Sequence, residues 1–266
     1  MISFAYWGNS LYGSEYSINV SDASSRPISS TLGSNNFSVD FGFTINALSI
    51  WFKIASVPSG TSGHYILSYM NENLDRYDIY TFGNNGTPIY RAQLRGNGGS
   101  FEEFSGTYRY NFTAQSGGMN TSWNHLVVGY NSNNNVMKAF INGNALSGTS
   151  ESISFSIPSS AVFNVNKVAL GGRVNDGAGL DNIKLDDAIW FTGLNATEWN
   201  NLSSLATLMY NNGLGKDPSN NGFRSPDNGW KCGDDDFGTG TTMTDLFGSV
   251  NLTFGAPNSF STDTPF

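Results

Sequence analysis

The sequence predicts an all-β fold, with antiparallel strands packed as a sandwich or a barrel and one short helix. Three observations lead there. The 266 residues include 33 Asn and 31 Gly, which are poor helix formers and good turn formers. Short alternations of apolar and polar residues recur between turn signals, the mark of half-buried strands. A single stretch combines helical apolar spacing with a helix start signal. Aromatic residues reach 14%, which argues against a disordered chain. All-β sandwiches often use roughly 200–250 residues as one domain, and a chain of this size can bury about 70% of its unfolded surface.

The elements follow in order. Residues 1–35 read as a Ser-, Gly- and Asn-rich arm with a short strand near 16–20. Residues 37–45 alternate apolar and polar over nine positions, a half-buried strand. Residues 47–54 place Leu48, Ile50, Phe52 and Ile54 on one face. Further strands are expected over 65–70, 76–82, 88–94, 107–112, 125–130, 136–141, 152–157, 167–170 and 184–191. Asn142-Gly143 favours the positive φ angles of a tight hairpin turn. In Leu194-Asn-Ala-Thr-Glu-Trp199, Asn195 can cap a helix, and Glu198 can reach back to the cap. Leu194 and Trp199 form a hydrophobic staple, and the spacing of Trp199, Leu202, Ala206 and Met209 predicts a helix over 196–211.

Charge narrows the function. Formal net charge is -8, and the 13 basic residues are scattered, so no phosphate-binding surface and no nucleic-acid partner is expected. No run approaches the roughly 20 apolar residues that span a bilayer, so no membrane partner is expected. The opening MISFAYWGNS has neither a basic nor an apolar signal region, so no secretory leader is expected. A lone Cys232 excludes an intramolecular disulfide and reads as a buried small hydrophobe. Trp51, Trp123, Trp190 and Trp199 read as core, and His125 as a satisfied structural imidazole. Residues 216–266 hold 3 basic and 7 acidic groups, half of the chain's net charge.

Several segments resemble the laminin-G-like, concanavalin A-like family. They are Ala47-Leu-Ser-Ile-Trp-Phe-Lys53, Trp123-Asn-His-Leu-Val-Val128, Met137-Lys-Ala-Phe-Ile-Asn-Gly143, Ala169-Leu-Gly-Gly172 and Leu185-Asp-Asp-Ala-Ile-Trp190 with the helix that follows. The resemblance covers about residues 37–211 and implies a two-sheet antiparallel jelly-roll sandwich. It implies a 1–35 arm, a 36–212 jelly-roll core and an acidic 213–266 segment packing on the same domain. It also implies that Asp186 and Asp187 form a structural acidic pair near a sheet edge. The tail segments Gly229-Trp-Lys-Cys-Gly-Asp-Asp-Asp236, Thr242-Met-Thr-Asp245, Asn251-Leu-Thr-Phe254 and Phe260-Ser-Thr-Asp-Thr-Pro265 resemble the C-terminal stretch of phage-encoded members. The resemblance implies a bacteriophage virion protein, made in the host cytoplasm, whose partners are other virion proteins. The leading expectation is a non-enzymatic accessory or decoration protein on the capsid or an appendage, with a lectin-like surface. The alternative is a host-surface carbohydrate-binding adhesin of a tail or head fibre, with trimeric assembly as one oligomeric option. A polysaccharide-cleaving glycosidase ranks third.

Three constellations bear on chemistry. Retaining glycoside hydrolysis needs two carboxylates about 5–5.5 Å apart. The E-x-D-x-x-E pattern that places them on one strand is missing, and Asp186 and Asp187 should face opposite sides of theirs. No catalytic residue is expected. Calcium wants six to eight oxygen ligands, and Asp176 and Asp181 in a Gly-rich loop are the candidate ligands. An ordinary turn, with Asn and Asp bonded to backbone, explains that loop as well; no other cofactor is called for. Tyr77, Tyr80, Tyr90, Arg91, Tyr108 and Arg109 fall in predicted strands. That mixture suits stacking on a sugar, a protein interface or cross-strand packing.

Overall fold

The computed structural model describes residues 17–21, 28–29, 45–59, 63–71, 76–84, 87–96, 105–113, 119–156, 165–173, 182–232, 242–248, 251–253 and 260–265. Its strands are β1 (Ser17–Val20), β2 (Ile28–Ser29), β3 (Ile45–Ile54), β4 (Tyr65–Asn71), β5 (Arg76–Asn84), β6 (Thr87–Arg95), β7 (Ser105–Thr113), β8 (Asn124–Asn131) and β9 (Val136–Ile141). After these come β10 (Asn144–Ala145), β11 (Ser147–Ser156), β12 (Val165–Leu170), β13 (Ile183–Leu194), β14 (Asn228–Trp230), β15 (Thr242–Met243), β16 (Leu252–Thr253) and β17 (Phe260–Ser261). Helices α1 (Ala196–Asn200) and α2 (Leu202–Tyr210) lie between β13 and β14.

All pairings are antiparallel, and the strands form the two-sheet sandwich that the sequence predicts. The first sheet runs β10-β9-β8-β3-β13-β1-β17, with β14 also on β13. The second runs β11-β7-β6-β5-β4-β12-β2-β16-β15. Asn142 and Gly143 both have positive φ, 49° and 78°, so the β9–β10 hairpin turns as its dipeptide requires. Most of the 37–45 alternation lies outside the described residues.

The main core fills the space between the sheets. Leu48, Ile50, Phe52 and Ile54 of β3 point into it with Leu126 and Val128 of β8 and Leu185 and Trp190 of β13. From the second sheet come Leu67, Tyr69, Ile79 and Leu94. Yet β3 and β8 are buried on both faces rather than half-buried. The reason is a second apolar layer. Ala47, Val127, Phe140, Ile189 and Phe191, on the outer side of the first sheet, pack under Trp199, Leu202, Leu205 and Met209 of the helices. Gly129 makes this approach possible, because a Cβ there would stand 2.6 Å from Leu202 Cδ1.

The predicted helix over 196–211 is present, divided into α1 and α2 by a break at Asn201. α1 ends at Asn201, whose ψ of 13° breaks the ladder, and α2 stops at Asn211 in the left-handed region. Trp123 is half-buried rather than core; its indole N–H donates to Asp263. Asp186 and Asp187 do not lie near a sheet edge. They sit in the interior strand β13 at a bulge, both buried, with Asp187 at φ 42°. Cys232 is fully buried.

Candidate functional site

The second sheet sorts the sequence candidates by strand parity. On β5, Tyr77 and Ile79 turn into the core, which leaves Arg76, Asp78, Tyr80 and Phe82 on the outer face. On β6, Tyr90, Ala92 and Leu94 turn inward, and Arg91, Gln93 and Arg95 outward. On β7, Tyr108 and Phe112 face inward, and Arg109 and Asn111 outward. Tyr77, Tyr90 and Tyr108, grouped by sequence with a contact surface, are therefore core residues. Burial pushes the phenol pKa up in all three, and the Tyr108 hydroxyl donates to the Asn135 carbonyl across the sandwich.

Tyr80, Arg91 and Arg109 share the outer face, and the structure adds partners that the sequence reading missed. The Tyr80 hydroxyl donates to Gln93 Oε1 at 3.3 Å. Arg109 Nε donates to the same oxygen at 2.9 Å. Arg91 Nε donates to Asn111 Oδ1 at 2.7 Å, and its Nη1 to the Tyr80 hydroxyl at 3.4 Å. The Arg91 guanidinium lies over Phe82, 4.5 Å from the ring centroid. Tyr65 stacks on Tyr80 with centroids 4.8 Å apart and planes at 20°, and Arg173 covers Tyr65 at 5.5 Å. A bulge between Tyr65 and Leu67 brings Tyr65 opposite Tyr80. The result is a stripe of stacked rings with a guanidinium at each end, crossed by amide side chains.

Asp78 lies beneath this stripe. It is 1% exposed, and its Oδ1 accepts a 2.6 Å bond from Ser68 Oγ. Burial pushes its pKa up to about 6, against the Ser68 hydrogen bond and the attraction of Arg76, Arg173 and Arg95. Burial also raises Tyr65 to about 12, helped by the Asp78 charge. The Tyr65 phenol is therefore neutral at pH 7.

A second polar pair lies under the helices, where Ser49 Oγ and His125 Nε2 are 2.8 Å apart. Both residues are fully buried, so no substrate reaches them. The imidazole is structural, as the sequence suggests, but only half satisfied: Nε2 has Ser49, while the buried Nδ1 has no hydrogen-bond partner among the described residues. Asp176 and Asp181, the candidate calcium ligands, lie outside the described residues, as do Asp234, Asp235 and Asp236.

The outer face thus carries a packed aromatic stack with Tyr80 and Gln93 largely buried, and Tyr65, Arg91, Arg109 and Asn111 half-buried at its surface. That set presents an aromatic edge and hydrogen-bonding groups side by side. The chain matches no protein-family model and no curated protein. Its fold is similar to those of several solved structures. One is a Bacteroides ovatus protein named for an inferred carbohydrate-binding role, with 14% identity, TM-score 0.53, and coverage of 92% of this chain and 59% of that one. Another is the CBM40 of the Ruminococcus gnavus IT-sialidase, with 16% identity, TM-score 0.44, and coverage of 70% and 96%. A third is the binding domain of botulinum neurotoxin DC in complex with SialylT, with 16% identity, TM-score 0.42, and coverage of 69% and 43%. This chain thus spans well under two thirds of the Bacteroides and toxin chains. At 14% identity the likeness to the Bacteroides protein shows the fold alone, a β-sandwich.

Proposed function

We propose that this protein is a non-catalytic, lectin-like carbohydrate-binding module whose ligand face is the outer surface of the second sheet. One observation carries the reading: the Tyr65–Tyr80 stack, set among Arg91, Gln93 and Asn111, in a layer that the core does not use. A pyranose would lie along the solvent edge of this stack, where Tyr65 is half-buried and Tyr80 is 8% exposed, with Asn111 and the guanidinium groups of Arg91 and Arg109 taking its hydroxyls. The fold shared with carbohydrate-binding domains supports the same reading, although fold alone does not assign function. Asp186 and Asp187, the sequence's adjacent acid pair, are buried in an interior strand, where no glycosidic bond reaches them.

The setting we propose is a bacteriophage particle, on the strength of the tail motifs from Gly229 to Pro265. There, many copies of a weak site give avidity without tight individual affinity. The test is binding of the purified protein to a glycan array, with Tyr80→Ala as the comparison. Saturable binding that Tyr80→Ala weakens at least tenfold is expected. Binding to assembled particles, with every glycan ignored, would overturn this reading in favour of a decoration protein docked on other virion proteins.

A further inference from the structure

The distribution of charge on the outer face is the least expected feature of the molecule. The chain is acidic, with 21 Asp and Glu against 13 Lys and Arg. Even so, four of its seven arginines, Arg76, Arg91, Arg95 and Arg109, lie on one face of three adjacent strands, Arg76 buried and the other three reaching solvent. Arg76 and Arg95 are directly opposite each other in register. Like charges in that position weaken a strand pair; here Asp78, with Oδ2 3.9 Å from Arg76 Nε, offsets part of that cost for Arg76, and among the described residues no such pairing reaches Arg91. The carboxylate within the cluster, Asp78, is buried. By register, Glu151 of β11 stands opposite Arg109, at the far side from Arg91.

Arg91 is the best-positioned of the four. Asn111 and the Tyr80 hydroxyl hold it from the side, and Phe82 supports it from below. These partners are all neutral. They fix the guanidinium plane without cancelling its charge, and among the described residues Arg91 makes no ion pair. It is half-buried, and its hydrogen bonds to Asn111 and Tyr80 use Nε and Nη1, leaving N–H groups of the fork for a ligand. A planar fork held in one orientation suits a carboxylate or sulfate, which it can grip with two parallel bonds.

We infer that the ligand is an anionic saccharide, its carboxylate or sulfate seated on Arg91 and drawn there by the field of Arg95 and its neighbours. This inference rests on the carbohydrate-binding reading above and deepens it. Neutral hydroxyls would be served by the amides alone, whereas an acidic sugar also uses the guanidinium charge of Arg91, which its neutral partners Asn111 and Tyr80 leave uncancelled. Affinity should fall steeply with salt, since exposed charges are screened within a Debye length of about 8 Å at physiological ionic strength.

The experiment is an array of neutral, uronate-, sialate- and sulfate-bearing glycans, followed by titration of the strongest binder in 50 and 300 mM NaCl. Binding should concentrate on anionic glycans, and the uronate, sialate and sulfate arms identify the source of the charge. Arg91→Gln should lower affinity at least tenfold. Arg91→Lys should restore only part of it, because an ammonium is a point charge without the fork. Arg224→Gln, away from this face, should change nothing. If Arg91→Gln fails to fold, the exposed Arg95→Gln is the second variant, with about threefold weaker binding and a flatter salt dependence expected. Equal binding of neutral and charged glycans would overturn the inference and leave the carbohydrate reading standing. Binding to no glycan of any charge would overturn both.

Discussion

Asp263 accepts a 2.6 Å hydrogen bond from Lys184, 79 residues earlier in the chain. The same carboxylate accepts from Lys53 at 2.8 Å and from the Trp123 indole at 3.1 Å. Ser17 Oγ donates to the Asp263 carbonyl at 2.8 Å. One residue beside β17 therefore ties together β1, β3, β13 and the segment entering β8. Partial burial pushes the carboxyl pKa up, but hydrogen bonds from Lys184, Lys53 and Trp123 outweigh it and hold the group well below the usual carboxylate range.

Replacing that carboxylate should loosen the clasp. The Asp263 side chain is 38% exposed, so solvent screening trims each ion pair. Asp263→Ala is expected to cost about 1–2 kcal/mol in urea unfolding at pH 7. A depressed folded-state pKa stabilises above the unfolded value, near 3.8, and the benefit disappears as pH falls through the folded value. The gap between wild type and variant should therefore close in acid. An unchanged urea midpoint at pH 7 would mean that the clasp contributes nothing.

The start of α1 offers a local test. Asn195 Oδ1 accepts from the backbone N–H of Thr197 and Glu198 at 2.9 and 3.0 Å. Glu198 Oε2 accepts from Asn195 N–H at 2.8 Å. Asn195→Ala should cost about 1 kcal/mol. Asn195→Asp should be nearly neutral, because it keeps the acceptor and suits the helix dipole. Equal melting temperatures for wild type and Asn195→Ala would show that packing of Trp199 and Leu202 alone secures the helices.

This cap was legible in the sequence because every participant lies within four residues. So were most strands, because alternation is local. The division of the second sheet's tyrosines was also readable. Tyr77 and Tyr80 are three apart and must face opposite ways on a strand, and Tyr90 and Tyr108 each sit beside the arginine that shows the other face. Ile79, Ala92 and Leu94 mark which side is core. Tyr65 was not readable, because strict parity from Leu67 turns it inward and only the bulge brings it opposite Tyr80. Nor was the Asp263 clasp, whose partners lie 79, 140 and 210 residues away. The second apolar layer over β3 was hidden for a similar reason. Trp51 reads as core, but Ala47 and Ser49 on the same face of β3 give no sign that the helices cover them.

His125 should make the protein sensitive to acid. Burial lowers its pKa from 6.5 to about 3. Between those values the unfolded chain takes up a proton that the folded chain refuses. The stabilisation is therefore full above pH 6.5 and lost as pH falls toward 3. By pH 4.5 this single group should cost roughly 2–3 kcal/mol relative to pH 7. His125→Gln removes the titration, so its stability should decline less than that of wild type over this range, as read by urea unfolding at each pH. A variant that declines in parallel with wild type would place the acid sensitivity elsewhere.

Asp78 acts in the opposite direction. Its folded pKa, about 6, lies above the unfolded value of 3.8, so here the folded chain takes up the proton first. Its contribution is full below pH 3.8 and lost as pH rises through 6. Between pH 7 and pH 4.5 it should add roughly 2 kcal/mol, which nearly cancels the His125 loss. The wild-type profile over that interval should therefore look flat for a reason that neither residue shows alone. Asp78→Asn keeps the acceptor for Ser68 and exposes the cancellation. It should be more stable than wild type at pH 7.5, by up to about 3 kcal/mol, and should lose that advantage by pH 4. Its own decline in acid should be steep, and adding His125→Gln should flatten it again. If Asp78→Asn instead tracks wild type at every pH, the carboxylate is already well solvated or fully paired by the arginines in the folded chain. The flat profile would then need a different explanation.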